Sequence, residues 1–422
     1  MNTLLPQAYR PGAVLLTGAG GYLGALIGGL LLARSDARLV LPLRQMARAT
    51  EVIDTLLAEA AALQPTGSAL IEDSAALRAR IDYIAWPEVA AMEPVDLRRR
   101  MQQAGVTDVI HCAGCLDYHD DAALQLVNVA YSARLAQACR GLDIRRFVYV
   151  STAYSAGYLD GNARVPERLA DDEPPRDPTS YTRSKRHAER AVAAPDLPWQ
   201  ILRPSIVIGA ARDGRYSGKR YGLYQQWMGL ERLLSSKYHD EIHTVAPQQP
   251  LNLLHQDVFQ DALLAALYFV PPQSVVNLAS RDTVCPSMRD LWELWMDKVS
   301  RPQRVVYYER FEDVNLKSID IRQRAYLSFA QVNLEIGAYR WRFERDWLDA
   351  LEQAGHLRFI DASLDSVTQC QDRFVAASDV LAAYTRKFNT QFPLHVQTVL
   401  HRQPQNSGEH QNEAPNFPAV AA

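Results

Sequence analysis

The sequence has few cysteines, and their spacing matches neither a disulfide framework nor a complete metal site. Five cysteines occur in 422 residues, at positions 112, 115, 139, 285 and 370. An odd and sparse set of thiols disfavours a disulfide-stabilised fold. A structural zinc site needs four ligands, and no second pair follows the C-x-x-C pair of Cys112 and Cys115. We therefore predict no metal site, and we interpret this pair as small residues at a strand end.

Long apolar runs and an excess of one charge are also missing. No run of about 18 or more apolar residues occurs, so we predict no transmembrane helix. The stretch MNTLLPQAYRPG lacks the basic and then apolar layout of a signal peptide. A formal net charge of −3 implies no bulk attraction to nucleic acid. We expect a cytoplasmic protein that has no nucleic-acid partner.

The sequence does contain a regular alternation of apolar runs and helical stretches. The apolar runs are continuous, as expected for parallel strands buried on both faces. They are AVLLT (13–17), RLVLPL (38–43), RIDYIA (80–85), TDVIHC (107–112), RFVYVS (146–151), WQILR (199–203) and SVVNLA (274–279). Helical patterns include 22–34, 45–63, 121–140 and 178–194. Repeated β–α–β units predict an α/β fold, a Rossmann-like doubly wound parallel sheet of about seven strands.

The regular alternation of predicted strands and helices ends at about residue 209, and this change suggests how the chain is divided into domains. We assign residues 1–300 to a dinucleotide-binding domain, in which 209–256 contribute to the substrate pocket. Helices are predicted at 222–238 and 256–269. Residues 301–402 are predicted to form a mostly helical substrate or lid region. The polar segment 403–422 is predicted to be disordered.

A glycine-rich stretch directly follows the first predicted strand. Gly18, Gly21 and Gly24 have G-x-x-G-x-x-G spacing within TGAGGYLG, and a helix pattern follows. A turn of this kind lets backbone N–H groups approach a pyrophosphate, whose charge the helix N-terminus favours. The predicted cofactor loop comprises Thr17, Gly18, Gly20, Gly21, Tyr22, Leu23 and Gly24.

The second predicted strand ends in LPLRQMAR and offers two arginines to a cofactor. A cofactor without a 2′-phosphate usually meets an Asp or Glu at this point. Arg44 and Arg48 occupy the region instead, and guanidinium groups suit a phosphate better than a diol. We therefore predict NADPH rather than NADH. The alternative is that both arginines are solvated residues on a helix.

A hydroxyl, a phenol and an ammonium form the predicted catalytic constellation. Tyr181 and Lys185 in YTRSK are four apart in a helical segment and therefore share a face. Ser151 and Thr152 end the fifth predicted strand, at the sheet edge where open α/β folds bind ligands. Hydride reduction of a carbonyl creates an oxyanion, which needs a proton and hydrogen-bond donors. We expect Thr152, or less favourably Ser151, to donate to that oxygen, and Lys185 to lower the pKa of Tyr181.

These motifs together resemble the extended short-chain dehydrogenases/reductases. The resemblance covers roughly residues 12–290 and rests on TGAGGYLG, HCAG, Asn128 in LVNVAYSA, STAY, YTRSK and LRPSIVIG. VYVSTAYSAGY and RPSIVIG are most similar to the male-sterility branch, which includes fatty acyl-CoA reductases and the terminal thioester reductases of carrier-protein synthases. The resemblance implies a triad of Thr152, Tyr181 and Lys185. It also implies that the remaining cofactor-binding residues are Cys112, Ala113, Gly114, Asn128, Ser151, Arg203, Pro204, Ser205 and Ile206.

The sequence departs from the family pattern after the third predicted strand. The family usually has an Asp there that meets the adenine, whereas this chain has Trp86 and Pro87. An aromatic wall beside the adenine is one interpretation of this difference.

Two features suggest hypotheses about the substrate. Arg212, Arg215, Lys219 and Arg220 form a basic loop that could meet the phosphates of coenzyme A or a carrier protein, or could simply be solvated. Residues 339–370 faintly resemble the C-terminal domain of fatty acyl-CoA reductases. Trp341, Phe343 and Trp347 could contact a membrane surface there, although packing against the sheet domain is favoured.

Three hypotheses for the function follow. The first is an NADPH-dependent reductase of an acyl thioester, from coenzyme A or an acyl carrier protein, to an aldehyde or alcohol. The second is another enzyme of the extended family, an epimerase/dehydratase of sugar nucleotides or a hydroxysteroid-type dehydrogenase. The third is a non-catalytic NADP-binding regulatory protein, which has no need of the phenol of Tyr181. The sequence does not indicate the oligomeric state.

Overall fold

The computed structural model describes eleven parts of the chain. These are residues 9–63, 74–118, 120–159, 163–170, 176–177, 179–218, 222–234, 239–298, 304–379, 383 and 397–400. The predicted tail 403–422 lies outside them, and so do Lys219 and Arg220 of the basic loop.

Strands and helices alternate through the first two thirds of the chain. The strands are β1 Ala13–Thr17, β2 Arg38–Leu43, β3 Ile81–Ala85, β4 Asp108–His111, β5 Arg146–Val150, β6 Trp199–Pro204, β7 Ile206–Ile208, β8 Glu241–Val245, β9 Leu253–His255, β10 Ser274–Leu278, β11 Arg304–Tyr308 and β12 Gln397–Leu400. The helices are α1 Tyr22–Arg34, α2 Ala49–Ala62, α3 Ser74–Ala79, α4 Pro94–Gln103, α5 Asp121–Leu124, α6 Tyr131–Cys139, α7 Ser180–Ala193, α8 Leu223–Leu234, α9 Gln256–Phe269, α10 Met288–Lys298, α11 Ile321–Gly337, α12 Asp346–Gln353 and α13 Leu364–Ala376.

Seven parallel strands form the central sheet, in the order β3-β2-β1-β4-β5-β6-β10. Their bounds lie within the seven predicted apolar runs or exceed them by one residue, and the predicted Rossmann-like fold is confirmed. Strands β1, β4, β5, β6 and β10 are almost entirely buried, because helices cover both faces. The strand order reverses between β1 and β4, and open sheets of this kind bind ligands at that point of the carboxyl edge.

A second, smaller core lies beside the sheet and includes strands that the sequence analysis missed. Strand β11 pairs in parallel with both β8 and β12, and β7 pairs with β9. Apolar residues of α8, α10, α11 and α13 pack around β8 and β11. The C-terminal part is helix-rich, as predicted, but 301–402 also contributes two strands. The sequence around these two strands has no repeated β–α–β pattern that would predict them, and β8, with which β11 pairs, comes from a distant segment.

The segment after α11 returns to the central sheet. Trp341 and Phe343 are buried beside Tyr154 and Val165, and Leu348 and Leu351 of α12 join the core under the sheet. These aromatic rings therefore pack against the sheet domain, which was the favoured alternative to lipid contact. Within the described ranges, no helix is both long and apolar enough to span a bilayer.

Candidate active site

The glycine turn between β1 and α1 is packed tightly against the end of β4. Gly18 has a φ of 74°, and a Cβ added there would lie 2.7 Å from the backbone nitrogen of Ala113. A Cβ on Gly24 would overlap the carbonyl oxygen of Gly18. Gly21 is the N-cap of α1 and provides no side-chain cap, so the first turn of the helix is open at the carboxyl edge of the sheet. This glycine cradle fits the pyrophosphate of a dinucleotide.

Thr17 joins the ends of β1 and β4 through its side chain. Its Oγ1 accepts hydrogen bonds from the backbone N–H groups of Cys112 and Ala113, at 3.2 and 3.1 Å, and lies 2.7 Å from Nδ1 of His111. Burial lowers the pKa of His111 to about 3, so the ring is neutral. Ser132 Oγ donates to Asn128 O at 2.6 Å and therefore accepts from His111 Nε2 at 2.9 Å, which leaves Nδ1 to accept the Thr17 proton. The Thr17 hydroxyl is thus occupied, and its predicted contact with a cofactor stays a prediction.

Helix α7 presents Tyr181 and Lys185 to the end of β5. The helix begins with a capping box, in which Thr179 and Thr182 bond each other's backbone N–H groups. The Lys185 ammonium donates to the carbonyl oxygen of Val150 at 2.8 Å and lies 4.2 Å from the ring centroid of Tyr149. Burial lowers the pKa of Lys185 to about 8. Lys185 therefore anchors the helix to the last residue of the strand that precedes Thr152.

The phenol of Tyr181 makes no hydrogen bond within the described parts of the chain, and its ring packs edge-on against Tyr118 at 5.3 Å. Burial raises the pKa of Tyr181 well above its usual value, and the nearby Tyr118, Cys112 and Cys115 raise it further. The expectation that Lys185 lowers this pKa is not met, because burial dominates. Cys112 interacts electrostatically with both Tyr181 and Lys185, so the two side chains converge on the same strand end.

The hydroxyl groups of Ser151 and Thr152 have different surroundings. Ser151 Oγ donates to Glu189 Oε1 at 2.5 Å inside the protein. Thr152 is the N-cap of the short 3₁₀ turn Ala153–Ala156, yet its hydroxyl makes no capping bond, and among the described residues it has no partner. Only Thr152 is therefore available to donate to a substrate oxygen.

A buried carboxylate that the sequence analysis missed lies beneath these residues. Glu189 accepts from Arg203 Nε at 2.9 Å and from Arg203 Nη2 at 2.6 Å, and also from Ser151 and Ser155. Burial would raise the pKa of Glu189, but the Arg203 charge and these hydrogen bonds hold it below its usual value. Arg203, expected against the nicotinamide, instead directs its guanidinium inward. Glu189 follows Lys185 by four residues in α7, and this spacing was the only feature of the sequence that could have indicated its position on the same face of the helix.

Asn128 connects the β4 end to α7. It lies in a π-helical segment, Gln125–Ala130, which is a form frequent at functional sites. Its Oδ1 accepts from Cys115 N at 2.7 Å, and its Nδ2 donates to Ser184 Oγ at 2.9 Å. Ser184 in turn donates to the carbonyl oxygen of Tyr181 at 2.7 Å. Asn128 therefore positions the segment Cys112–Cys115 and the catalytic helix relative to each other, and the thiols of that segment are not bonded to each other.

The segment after β6 has one buried polar atom that lacks a partner. Ser205 Oγ is inaccessible to solvent and makes no hydrogen bond, although Ser205 N donates to Leu278 O at 3.0 Å. An orphaned hydroxyl at the carboxyl edge fits the prediction that Pro204, Ser205 and Ile206 lie against a nicotinamide. The glycine cradle and this hydroxyl together fit a bound dinucleotide.

Arg44 and Arg48 are at the carboxyl end of β2, where they were predicted to meet a 2′-phosphate. Both are exposed, and each is paired with an acid: Arg44 with Glu88 at 3.2 Å and Arg48 with Glu51 at 3.0 Å. Exposed pairs of this kind are weak, so a phosphate can displace the acid. Trp86 is buried and donates to the Tyr131 hydroxyl at 3.0 Å, so it does not form the aromatic wall considered for the adenine.

The described arginines of the basic loop bond to residues of α2. Arg215 forms a two-hydrogen-bond ion pair with Glu59, at 3.1 and 2.8 Å. Arg212 donates to the carbonyl oxygen of Ala62 at 2.5 Å. Both contacts tie the loop to α2, and the hypothesis that these two residues meet a phosphate stays a prediction.

A surface cleft of about 230 Å³ lies away from this site. It is lined by residues that include Phe269 and His356, whose rings stack at 3.8 Å. Phe269 ends α9, and the next residue, Val270, accepts a hydrogen bond from Arg146 at the start of β5. The cleft is therefore at the amino edge of the sheet, opposite Thr152.

Taken together, the strand order, the glycine turn after β1 and the Tyr181–Lys185 helix beside β5 define an NAD(P)-dependent enzyme of the extended short-chain dehydrogenase/reductase class. The sequence model of the family described as male sterility protein matches residues 16–262, more than half of the chain. The chain therefore belongs to the male sterility protein family, as the motifs predicted. A comparison with curated proteins found no match.

Solved structures support the fold. The terminal R domain from the myxalamid PKS-NRPS biosynthetic pathway is 20% identical with a TM-score of 0.65, over 88% of this chain and 92% of that one. A thiolation-reductase di-domain from an archaeal non-ribosomal peptide synthetase is 16% identical with a TM-score of 0.58, over 88% and 92%. The Bordetella bronchiseptica enzyme WbmG, in complex with NAD and UDP, is 18% identical with a TM-score of 0.56, over 87% and 94%.

Proposed function

We propose that this protein is an NADPH-dependent reductase of an acyl thioester, and that it releases an aldehyde or an alcohol. The observation that carries the proposal is the pair of hydroxyl groups on Thr152 and Tyr181, which have no hydrogen-bond partner in the described parts of the chain, near the buried ammonium of Lys185. Two donors in this position suit a reaction in which a carbonyl oxygen gains negative charge. The likeness to an R domain and to a thiolation-reductase di-domain supports a thioester, from coenzyme A or a carrier protein, as substrate.

The roles of the three residues follow from their surroundings. The nicotinamide cofactor, when bound, supplies the hydride. Thr152 and Tyr181 donate hydrogen bonds to the carbonyl oxygen of the thioester, and Tyr181 passes its proton to that oxygen as the carbonyl carbon accepts the hydride. The resulting thiohemiacetal then breaks its C–S bond, and its hydroxyl proton passes to the sulfur, so that the aldehyde and the free thiol are released. The phenol is protonated at neutral pH and can therefore donate a proton to the developing oxyanion. Lys185 holds the helix against β5 and places its positive charge under the site.

The preference for NADPH rests on Arg44 and Arg48. Both pairs are exposed and therefore weak. A 2′-phosphate would offer Arg44 two hydrogen bonds in place of its single bond to Glu88, whereas Arg48 would exchange the two hydrogen bonds that it makes to Glu51. The predicted cytoplasmic location and the roles of the remaining cofactor-loop residues also stay predictions.

A substrate panel tests the proposal. NADPH oxidation is measured with acyl-CoAs, carrier-bound acyl groups, free aldehydes and ketones, for the wild type and for Tyr181→Phe. Turnover of thioesters that the substitution abolishes is the expected result. Turnover of ketones alone would instead favour the hydroxysteroid-type alternative, and binding of NADPH without turnover of any substrate would favour a regulatory protein.

A further inference from the structure

One aromatic residue that the proposed reaction does not use lies directly against the phenol of Tyr181. The rings of Tyr118 and Tyr181 pack edge-on, with their centroids 5.3 Å apart and their planes at 73° to each other. Burial raises the pKa of Tyr181, and Tyr118 is the neighbouring group that raises it most. The hydroxyl of Tyr118 makes no hydrogen bond within the described parts of the chain, so the contact of this residue with the site is made by its ring.

The backbone that leads to Tyr118 is bonded to the helix that contains Tyr181. Asn128 accepts from the backbone N–H of Cys115 at 2.7 Å and donates to the carbonyl oxygen of the same residue at 3.2 Å. Its amide nitrogen also donates to Ser184 Oγ of α7 at 2.9 Å. Tyr118 follows Cys115 by three residues, so its ring is placed against Tyr181 by a segment that is itself fixed to α7.

This pair of rings lies at the accessible edge of the site and not in the core. Tyr118 and Tyr181 are both half-buried, so each is partly accessible from solvent. Leu116, two positions before Tyr118, is 43% exposed. The segment that follows β4 therefore adds apolar surface beside the phenol of Tyr181, at the carboxyl edge of the sheet.

A ring in this position limits the space around the carbonyl carbon of a substrate. When a thioester oxygen accepts from Thr152 and Tyr181, the carbonyl carbon and its two substituents lie next to the Tyr181 hydroxyl. The thiol substituent of coenzyme A or of a carrier protein contains amide groups, whereas an acyl chain is a hydrocarbon. Apolar surface is buried most favourably against apolar surface, so the ring of Tyr118 and the side chain of Leu116 suit the acyl substituent.

We propose that Tyr118 is a specificity-determining residue whose ring contacts the acyl group beside the thioester carbonyl. The enzyme then favours straight apolar acyl chains over chains that branch at the carbon next to the carbonyl. This inference rests on the proposed function and names the class of acyl group that the same site accepts. One methyl group that an apolar pocket admits or excludes changes kcat/KM by about 10- to 200-fold, so the preference is measurable.

The experiment compares two acyl groups that differ by one methyl branch. The substrates are the most active straight-chain thioester of the substrate panel, the same chain with a methyl group next to the carbonyl, and the straight chain on N-acetylcysteamine. Tyr118→Ala removes the ring, Tyr118→Leu shortens it if the alanine variant does not fold, and Tyr118→Phe keeps it. The control Phe269→Ala removes a ring that stacks on His356 at the amino edge of the sheet. The readouts are kcat/KM and the affinity for NADPH.

We expect the wild type to favour the straight chain by about tenfold or more, and Tyr118→Ala or Tyr118→Leu to lose most of this preference. Tyr118→Phe and Phe269→Ala should keep the wild-type ratio of kcat/KM between the two acyl groups. The straight chain should show the same fractional loss in Tyr118→Ala on either thiol, because the ring contacts the acyl side.

Three results would overturn the inference while the proposed function stands. They are equal kcat/KM for the two acyl groups in the wild type, an unchanged ratio in Tyr118→Ala, and an equal loss with both acyl groups, which would mean that Tyr118 only supports the ring of Tyr181. Turnover of no thioester by the wild type would instead overturn the proposed function, and the inference with it. An unchanged affinity for NADPH confirms that each variant is folded.

Discussion

Glu189 and Arg203 form a buried ion pair with two hydrogen bonds, Nε–Oε1 at 2.9 Å and Nη2–Oε2 at 2.6 Å, directly beneath the catalytic strand end. Both side chains are almost fully inaccessible to solvent. The pair joins α7 to β6, and through Ser151 it also holds the end of β5. The position of the candidate catalytic residues thus depends on an ion pair that is itself buried.

Removing one partner of this pair should destabilise the fold. Glu189→Gln leaves the Arg203 charge without its counter-charge in the interior, and such changes cost about 3–5 kcal/mol. We expect the free energy of unfolding, measured with urea, to fall by that amount. The control Glu51→Gln, which breaks the exposed pair with Arg48, should cost less than about 1 kcal/mol. Equal losses would show that the buried pair contributes no more than a surface contact.

Replacing Tyr181 with Phe should remove proton donation and keep the packing. We expect kcat with a thioester to fall by about 10² to 10⁴, while the affinity for NADPH, measured by fluorescence, stays near the wild-type value. Tyr118→Phe is the matched control, because Tyr118 packs on the same ring at 5.3 Å. A similar loss of kcat in both variants would assign the effect to packing rather than to the Tyr181 proton.

The two neighbouring hydroxyls should respond in opposite ways. Thr152→Val removes a hydroxyl that has no protein partner, so we expect kcat to fall by about 10² to 10³ without loss of stability. Ser151→Ala removes the hydrogen bond to Glu189, so we expect a loss of stability of about 1 kcal/mol or more and a nearly unchanged kcat. Thermal unfolding and steady-state kinetics on both variants provide the comparison. The reverse pattern would make Ser151 the oxyanion donor.

Cofactor preference should depend on Arg44. We expect Arg44→Ala to lower the affinity for NADPH by about tenfold and to leave the affinity for NADH unchanged, because only NADPH offers a 2′-phosphate to the guanidinium. Arg78→Ala removes an exposed arginine that is paired with Asp54 elsewhere on the surface and should change neither affinity. Equal wild-type affinities for the two cofactors would reject the NADPH prediction.

Lys185 should make the stability of the cofactor-free protein depend on pH. Burial lowers its pKa to about 8 in the folded protein, below the usual value of 10.5, so the unfolded chain binds this proton more tightly. The folded state therefore gains stability as the pH rises from about 8 to 10.5, by about 3 kcal/mol; this gain is lost as the pH falls from 10.5 to 8, and the contribution does not change further below 8. The difference in unfolding free energy between the wild type and Lys185→Met should follow this course. A difference that does not change over this pH range would mean that Lys185 has its ordinary pKa.

Local patterns were enough to predict the central sheet and to propose the residues of the triad. Buried parallel strands read as continuous apolar runs, and the glycine spacing and the i to i+4 pair of Tyr181 and Lys185 lie within single segments. Each of these signals lies within about 20 residues, so it can be recognised in the sequence without knowledge of the fold. The strand pairing of β8, β11 and β12 has no such signal, since its members come from distant segments.

The sequence by itself therefore determined the Rossmann-like sheet, the glycine cradle and the choice of candidate catalytic residues. Only the tertiary structure decided which hydroxyl is available, because Ser151 donates to Glu189 whereas the Thr152 hydroxyl has no partner among the described residues. It also decided which arginines are engaged: Arg215 pairs with Glu59, which is 156 positions away, and Arg203 pairs with the buried Glu189. The charge of a side chain follows from the sequence alone, whereas its partner depends on which remote segments the fold brings together.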